Sequence, residues 1–230
     1  WADAFLSAPR FQPGDGSALR STRGEWLPAE SWPVDPIQSV LLDSGELLTF
    51  SSAVVSGPGT LPPTDPHDTT VVDLFDPSTG VHTPADHSSA ELYGAALSRL
   101  STGELLALGG YAGRTSSSAP IGADQLSRFD SSTGTWIPLA PSGEAWHGAA
   151  GLTLGDGSFL ALGGADSGSV NTVPARFDGE AWTRLPGADL GAWLNAGIGA
   201  VDGLFPFVHL SPEGDVVVAG WDQNLGVIET

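Results

Sequence analysis

The chain has 230 residues, of which 40% are hydrophobic, and this is enough for a folded core. Its 31 glycines and 18 prolines favour many short strands and turns over long helices. The net charge of −19 argues against binding to nucleic acid or to an anionic membrane surface. Cysteine is absent, so disulfides, thiolate metal sites and cysteine nucleophiles are excluded. No apolar run is long enough to span a bilayer.

Residues 1–23 are expected to form an N-terminal extension, and residues 24–230 the folded domain. The sequence starts at Trp1, contains no Met and shows no basic-then-apolar leader, so a processed or trimmed N-terminus is expected. Low lysine with excess acid is typical of a secreted protein, and we therefore expect an extracellular location.

An internal repeat organises residues 24–230. Four segments, 39–50, 95–110, 150–164 and 207–220, each contain an apolar stretch, a turn ending in glycine and a second apolar stretch. The turn glycines Gly45, Gly103, Gly157 and Gly214 are separated by 58, 54 and 57 residues. A spacing near 55 residues is typical of a propeller blade of four strands.

The second half of each unit repeats as well: a strand ends in Phe-Asp, and the aspartate begins a turn, at Asp76, Asp130 and Asp178. This pattern predicts a second hairpin in every unit. The run Leu105–Leu108 is apolar throughout and is expected to form an inner strand between neighbouring sheets. Tryptophans at one position of the repeat are expected to lie in the core: Trp26, Trp136 and Trp182.

Counting strands leads to a specific architecture. A strand at 24–27, three full units over 36–185 and three strands from 206 onward give 16 strands. The predicted fold is all-β, a β-propeller of about four four-stranded antiparallel blades. Either the N-terminal strand near Trp26 pairs with the last strand near Val227 and closes the ring, or the chain is part of a larger propeller.

These units resemble the kelch-type repeats of galactose oxidase, glyoxal oxidase and related copper radical oxidases. The resemblance rests on the segments 24–26, 32–34 and 36–37 and on the segment Phe75–Gly80. It covers nearly the whole chain from Gly24. Members of that family have seven blades. The resemblance therefore implies the N-terminal four blades of a larger propeller rather than a closed ring.

The family's cofactor residues are not found at the matching positions. The resemblance implies a copper ion, a tyrosine cross-linked to a cysteine, and an indole stacked on that pair. Gly94 stands at the cysteine position, His147 at the tyrosine position, and Ala165 where the indole is expected. The remaining ligands would lie beyond Thr230. Copper and oxidase chemistry are therefore not expected of this chain, and no cofactor is assigned.

Aromatic residues are the candidate ligand-binding groups. Trp146 and His147 could stack on a sugar ring at the mouth of the propeller, next to Tyr93. Trp1, Trp193 and Trp221 are out of register with the repeat and are candidates for a partner contact, although packing between blades explains them equally well. For Trp146 and His147, packing between blades is favoured over ligand binding, and the other histidines are expected to be structural.

Two acidic loops could hold calcium, although neither has the spacing of a twelve-residue calcium loop. The first comprises residues 65–68 with Asp73, and the second comprises residues 166–171.

Three functions remain open. The favoured one is a secreted, non-catalytic module that binds a glycan, a protein partner or a second chain that completes the propeller. The alternative is a fragment of a divergent copper radical oxidase acting on primary alcohols or aldehydes. The third is a structural subunit that pairs through open sheet edges.

Overall fold

A computed structural model describes residues 32–34, 38–52, 70–88, 91–117, 119–194, 205–219 and 225–228. For residues 51, 52, 86–88, 192, 193 and 225–228 it describes the backbone alone. The expected N-terminal extension, the strand at Trp26 and its pairing with the last strand lie outside the described residues.

Within the described residues the protein is almost entirely β-sheet. It has one short α-helix, α1 (Gly191–Leu194), preceded by a 3-10 turn at Pro186–Ala188. The strands, in chain order, are β1 (Gln38–Leu41), β2 (Leu47–Ser52), β3 (Thr70–Asp76), β4 (Val81–Ser88), β5 (Ala96–Arg99), β6 (Leu105–Leu108), β7 (Tyr111–Arg114), β8 (Pro120–Gly122), β9 (Leu126–Asp130), β10 (Thr135–Leu139), β11 (His147–Thr153), β12 (Phe159–Asp166), β13 (Ser169–Val170), β14 (Ala175–Phe177), β15 (Trp182–Arg184), β16 (Phe207–Leu210), β17 (Val216–Ala219) and β18 (Leu225–Ile228). The all-β prediction is confirmed.

The strands form a series of separate antiparallel sheets. The first sheet has the order β1-β2-β3-β4, the second β5-β6-β9-β10 and the third β11-β12-β14-β15. The fourth sheet, within the described residues, has three strands in the order β16-β17-β18. In each sheet the spatial order follows the chain, as the two predicted hairpins per unit require.

Local chemistry explains why these turns form where they do. The repeat glycines Gly45, Gly103, Gly157 and Gly214 have φ values of 86°, 90°, 86° and 101°, in the left-handed region that glycine tolerates. In the second hairpin of the first unit, Oδ1 of Asp76 accepts a hydrogen bond from the backbone N–H of Ser78 at 2.8 Å. Asp130 makes the same contact with Ser132 at 2.9 Å. Hydrogen bonds from these serines lower the pKa of both carboxyl groups.

The hydrophobic core lies between successive sheets. The first and second sheets bury a cluster of Leu42, Leu48, Phe50, Val72, Leu92, Ala95, Leu105, Ala107 and Phe129. The second and third sheets bury Ala96, Leu106, Leu108, Leu126, Trp146, Ala149, Phe159, Ala161, Ala175 and Phe177. The third and fourth sheets, with the α1 region, bury Leu160, Leu162, Leu190, Leu194, Val216 and Val218.

Strand β6 shows how one sequence run serves two of these clusters. Successive side chains of a strand point to opposite faces. Leu105 and Ala107 therefore pack toward the first sheet, and Leu106 and Leu108 toward the third. All four residues are buried, which explains why the inner strand is apolar at every position.

Two features differ from the sequence-based expectation: one concerns a predicted loop, and the other concerns two tryptophans that were predicted to lie in the core. The segment 112–123 lies between two apolar strands of the repeat and is rich in Ser, Gly and Ala, a composition that predicts a long loop. In the structure it contains the β7–β8 hairpin. Trp136 and Trp182 are half-buried and pack at 5.1 Å against Phe129 and Phe177, respectively.

Large exposed hydrophobic side chains of the described residues lie on the first and fourth sheets or next to them: Leu41, Val81, Phe205, Phe207 and Leu210. The second and third sheets have none, because each is covered on both faces. No helix among the described residues is long and apolar enough to cross a membrane.

Candidate functional site

Four aromatic side chains meet where the second and third sheets approach the start of the fourth. We call Tyr93, Tyr111, His147 and Phe205 the His147 cluster. The imidazole centroid lies 5.7 Å from the ring of Tyr93, 5.8 Å from Tyr111 and 6.3 Å from Phe205. The two tyrosine rings are 6.3 Å apart and meet edge to face. These are the only two tyrosines of the sequence, so both are used in this one place.

A tight turn between β4 and β5 positions Tyr93. The backbone N–H of Ala95 donates to the carbonyl of Leu92 at 2.9 Å, and Gly94 has φ +74°. The carbonyl of Gly94 accepts the N–H of Gly148 at 2.7 Å, which joins the turn to strand β11. A Cβ atom at Gly94 would lie 2.7 Å from both Cε1 and Nδ1 of His147. The imidazole therefore packs directly on the glycine backbone.

Another glycine pair brings Tyr111 to the cluster. A Cβ atom at Gly109 would lie 2.2 Å from the carbonyl oxygen of Trp146, and one at Gly110 would lie 2.1 Å from that of Glu91. The N–H of Gly110 donates to Trp146 at 2.8 Å, and the N–H of Tyr111 donates to Glu91 at 3.1 Å. Only glycine allows this approach, which holds the second and third sheets together at the site.

His147 is a buried imidazole, with 5% of its surface exposed. Burial lowers its pKa below the ordinary value of 6.5, because the charged ring loses its hydration. The carbonyls of Gly110 and Tyr93 act in the opposite direction, and the positive charge of Arg114 lowers the pKa further. The Nδ1 atom is buried and has no hydrogen-bond partner among the residues that the structure describes. Burial thus favours the neutral form of this imidazole.

Arg114 borders the cluster on strand β7. Its guanidinium carbon lies 5.9 Å from the centroid of the Tyr111 ring, a cation–π contact. The cluster thus combines flat apolar surfaces with a neutral imidazole and a neighbouring positive charge.

The structure brings two of the predicted site residues into contact and places a third, Trp146, in the core. Tyr93 and His147 are in ring contact, whereas Trp146 lies fully buried between the second and third sheets. The indole Nε1 of Trp146 donates to Oγ of Ser142 at 3.2 Å, so this ring is part of the core in this structure. The structure describes only the backbone of Trp193, which lies in α1, and it does not describe Trp221.

Two residues of the cluster were not predicted. Tyr111 follows the Gly109–Gly110 pair, and a search for aromatic residues after glycine pairs would have found it. Phe205 carries no such signal, because its place depends on a contact with Gly148, far away in the sequence.

The positions that the resemblance assigns to a copper cofactor can be compared with the structure. Gly94 and His147 are in direct contact, as a cross-linked pair would have to be, but glycine has no thiol. Ala165 lies opposite His147 in the strand pair, and its methyl group cannot stack as an indole would. The described residues thus offer one imidazole at this place and do not fit the family's cross-linked copper cofactor.

The described aspartates of the two acidic loops contact groups of the protein itself. Asp73 is buried and its Oδ2 contacts Nδ1 of His82 at 2.6 Å, while residues 65–68 lie outside the described residues. In the second loop, Asp166 accepts hydrogen bonds from the N–H of Gly122 and the hydroxyl of Ser167. Among the described residues, no three His, Cys, Asp or Glu side chains form a group that could hold a metal ion.

Within the described residues the fold is that of an all-β protein with several four-stranded antiparallel sheets packed face to face. Among solved structures, it is similar to a novel fungal alcohol oxidase with catalytic diversity among the AA5 family, in complex with copper. The match has a TM-score of 0.64 and 21% sequence identity, and it covers 84% of this chain and 39% of the oxidase. The chain thus spans less than half the length of that protein, and the likeness is one of fold. No family model and no curated protein matches the chain.

Proposed function

We propose that the chain forms part of a β-propeller that binds an uncharged, ring-shaped ligand of the carbohydrate class at the His147 cluster, without oxidising it. The observation that carries this proposal is the convergence of Tyr93, Tyr111 and Phe205 on an imidazole that burial keeps neutral. The propeller arrangement is supported by the face-to-face packing of successive sheets and by the fold of the fungal oxidase.

Aromatic surfaces and a neutral imidazole suit a sugar for physical reasons. Aromatic rings bind apolar surface, and the C–H face of a pyranose is such a surface. A neutral imidazole can both donate and accept a hydrogen bond, and a hydroxyl group matches both roles. A buried polar atom without a partner costs free energy, so a hydroxyl group or water that reaches Nδ1 of His147 when the ligand binds would stabilise the complex.

The alternative is a copper radical oxidase that acts on primary alcohols or aldehydes. The fold likeness to an AA5 alcohol oxidase supports it. Gly94 opposes it, because a thioether needs a thiol at the place where this chain has only backbone. If the alternative is correct, the reactive groups belong to parts of the protein outside this chain.

Binding and oxidation are distinguished by two measurements on the full chain. Isothermal titration with methyl β-D-glucopyranoside and methyl β-D-galactopyranoside should show binding to the wild type and none to His147→Ala. The exposed His209, altered to Ala, is the matched control and should bind as the wild type does. After copper loading and in the presence of dioxygen, oxidation of these sugars or of primary alcohols to aldehydes, with dioxygen reduced to hydrogen peroxide, would overturn the proposal in favour of the oxidase.

The proposal includes a partner and a location. The exposed hydrophobic side chains on the first and fourth sheets are compatible with a further part of the propeller, or a second chain, packing there. An extracellular location is proposed on the acidic, lysine-free composition.

A further inference from the structure

Phe205 has a backbone conformation that its side chain does not favour. Its φ is +53°, and Ser167 is the only other non-glycine residue with positive φ in the described part of the chain. Ser167 is a small residue in the turn between β12 and β13, where such a conformation is common. For a bulky aromatic residue it is strained and persists only when surrounding contacts enforce it.

Contacts around Phe205 show what enforces the strain. The backbone N–H donates to the carbonyl of Gly148, the residue that follows His147. The ring stands edge to face against the imidazole, with an angle of 74° between the planes. The side chain nevertheless stays 42% exposed, unlike the fully buried core residue Phe159. The strained backbone therefore holds an aromatic ring half in solvent beside a buried histidine.

We propose that Phe205 is a positioning residue of the His147 cluster: its ring shields the imidazole from water and offers its open face to the ligand. The role of the open face rests on the proposed function, whereas the shielding does not. On this view the strain serves the site and not the fold, since an exposed ring adds little to the core.

Three variants of the full chain test the inference. Phe205→Gly removes the ring and relieves the positive φ, and Phe205→Leu keeps the bulk and the strain without the aromatic face. Phe207→Ala is the matched control, because Phe207 is also an exposed phenylalanine, at 61%, and has no ring contact with His147. Melting temperature, the imidazole titration of His147 by NMR, and the affinity for methyl β-D-glucopyranoside are measured for each variant.

The inference expects Phe205→Gly to melt at or above the wild-type temperature and the pKa of His147 to rise toward 6.5. Affinity for the sugar should fall about three- to tenfold in both Phe205 variants, whereas Phe207→Ala should change none of the three readouts. A marked fall in melting temperature for Phe205→Gly, with an unchanged His147 titration, would overturn the inference and make Phe205 a structural residue. Unchanged affinity in both variants of a wild type that binds would also overturn it.

Failure of the proposed function gives a different result. If the wild type binds neither sugar but Phe205→Gly still raises the pKa of His147 without loss of melting temperature, the shielding role stands. In that case the ligand is not a carbohydrate, and only the shielding of the His147 imidazole by Phe205 is retained.

Discussion

Replacing Gly94 with alanine tests the geometry on which the candidate site depends. At φ +74°, an alanine loses about 1–2 kcal/mol from its backbone conformation alone. The added Cβ would lie 2.7 Å from the imidazole of His147 and 3.1 Å from the backbone nitrogen of Gly148. Overpacking a closed core of this kind costs about 1–3 kcal/mol. The expected loss in free energy of unfolding is thus about 2–5 kcal/mol.

Gly143 provides the matched control, because its φ is +75° and a Cβ there would meet nothing within 4 Å. Gly143→Ala should cost only the backbone contribution of about 1–2 kcal/mol. In a His147→Ala background the clash with the imidazole disappears and only the 3.1 Å approach to the backbone nitrogen of Gly148 remains, so Gly94→Ala should cost less than in the wild type and come closer to Gly143→Ala. Urea unfolding followed by tryptophan fluorescence measures all three costs. Equal costs for Gly94→Ala and Gly143→Ala in the wild-type background would refute the contact between Gly94 and His147.

Three further predictions concern pH and packing. Burial holds the pKa of His147 below 6.5, so the unfolded chain takes up a proton at a higher pH than the folded protein does. The free energy of unfolding should therefore fall as the pH drops through 6.5. His147→Gln should flatten this dependence, measured by urea unfolding from pH 7.5 to 5.5. Asp130 has a lowered pKa, so its contribution is present above 3.8 and is lost as pH falls through its folded value; Asp130→Ala should destabilise the protein at pH 7, and its difference from the wild type should shrink below pH 3.8. Phe159→Ala, in the core between the second and third sheets, should cost about 3–5 kcal/mol, whereas the exposed Phe207→Ala should stay within about 0.5 kcal/mol in the same measurement.

The repeated sheets could be predicted because their signals are local. A glycine that must adopt positive φ, such as Gly103, marks a turn whatever the rest of the chain does. An aspartate that accepts a hydrogen bond from the residue two positions later, such as Asp130, marks another. The β7–β8 hairpin was missed because its strands are short and its segment is rich in Ser, Gly and Ala. Ala123, the residue after its second strand, forms a β-bridge with Trp146, a long-range contact that no local pattern encodes.

The site could be predicted only in part for a similar reason. Tyr93 and His147 were found because they lie at or beside the positions where the resembled family has its cofactor residues, near the start of the first strand of a unit. Trp146 was paired with His147 although adjacent residues of an extended chain point to opposite sides, and the structure directs the indole into the core. Phe205 joins the cluster through a strained backbone and a long-range hydrogen bond, and composition gives no sign of either.

Strand β6 packs on both of its faces, and this has a consequence for how the protein unfolds. Leu105 and Leu106 are neighbours in sequence, yet each seals a different interior layer. Separating one pair of sheets displaces a strand that also packs in the next interior layer. The loss of one interface between sheets therefore destabilises the neighbouring interfaces on both sides. Amide protons of β6 and β12 are therefore expected to be released to solvent only when the assembly of sheets opens as a whole, while outer strands such as β15 exchange through local fraying.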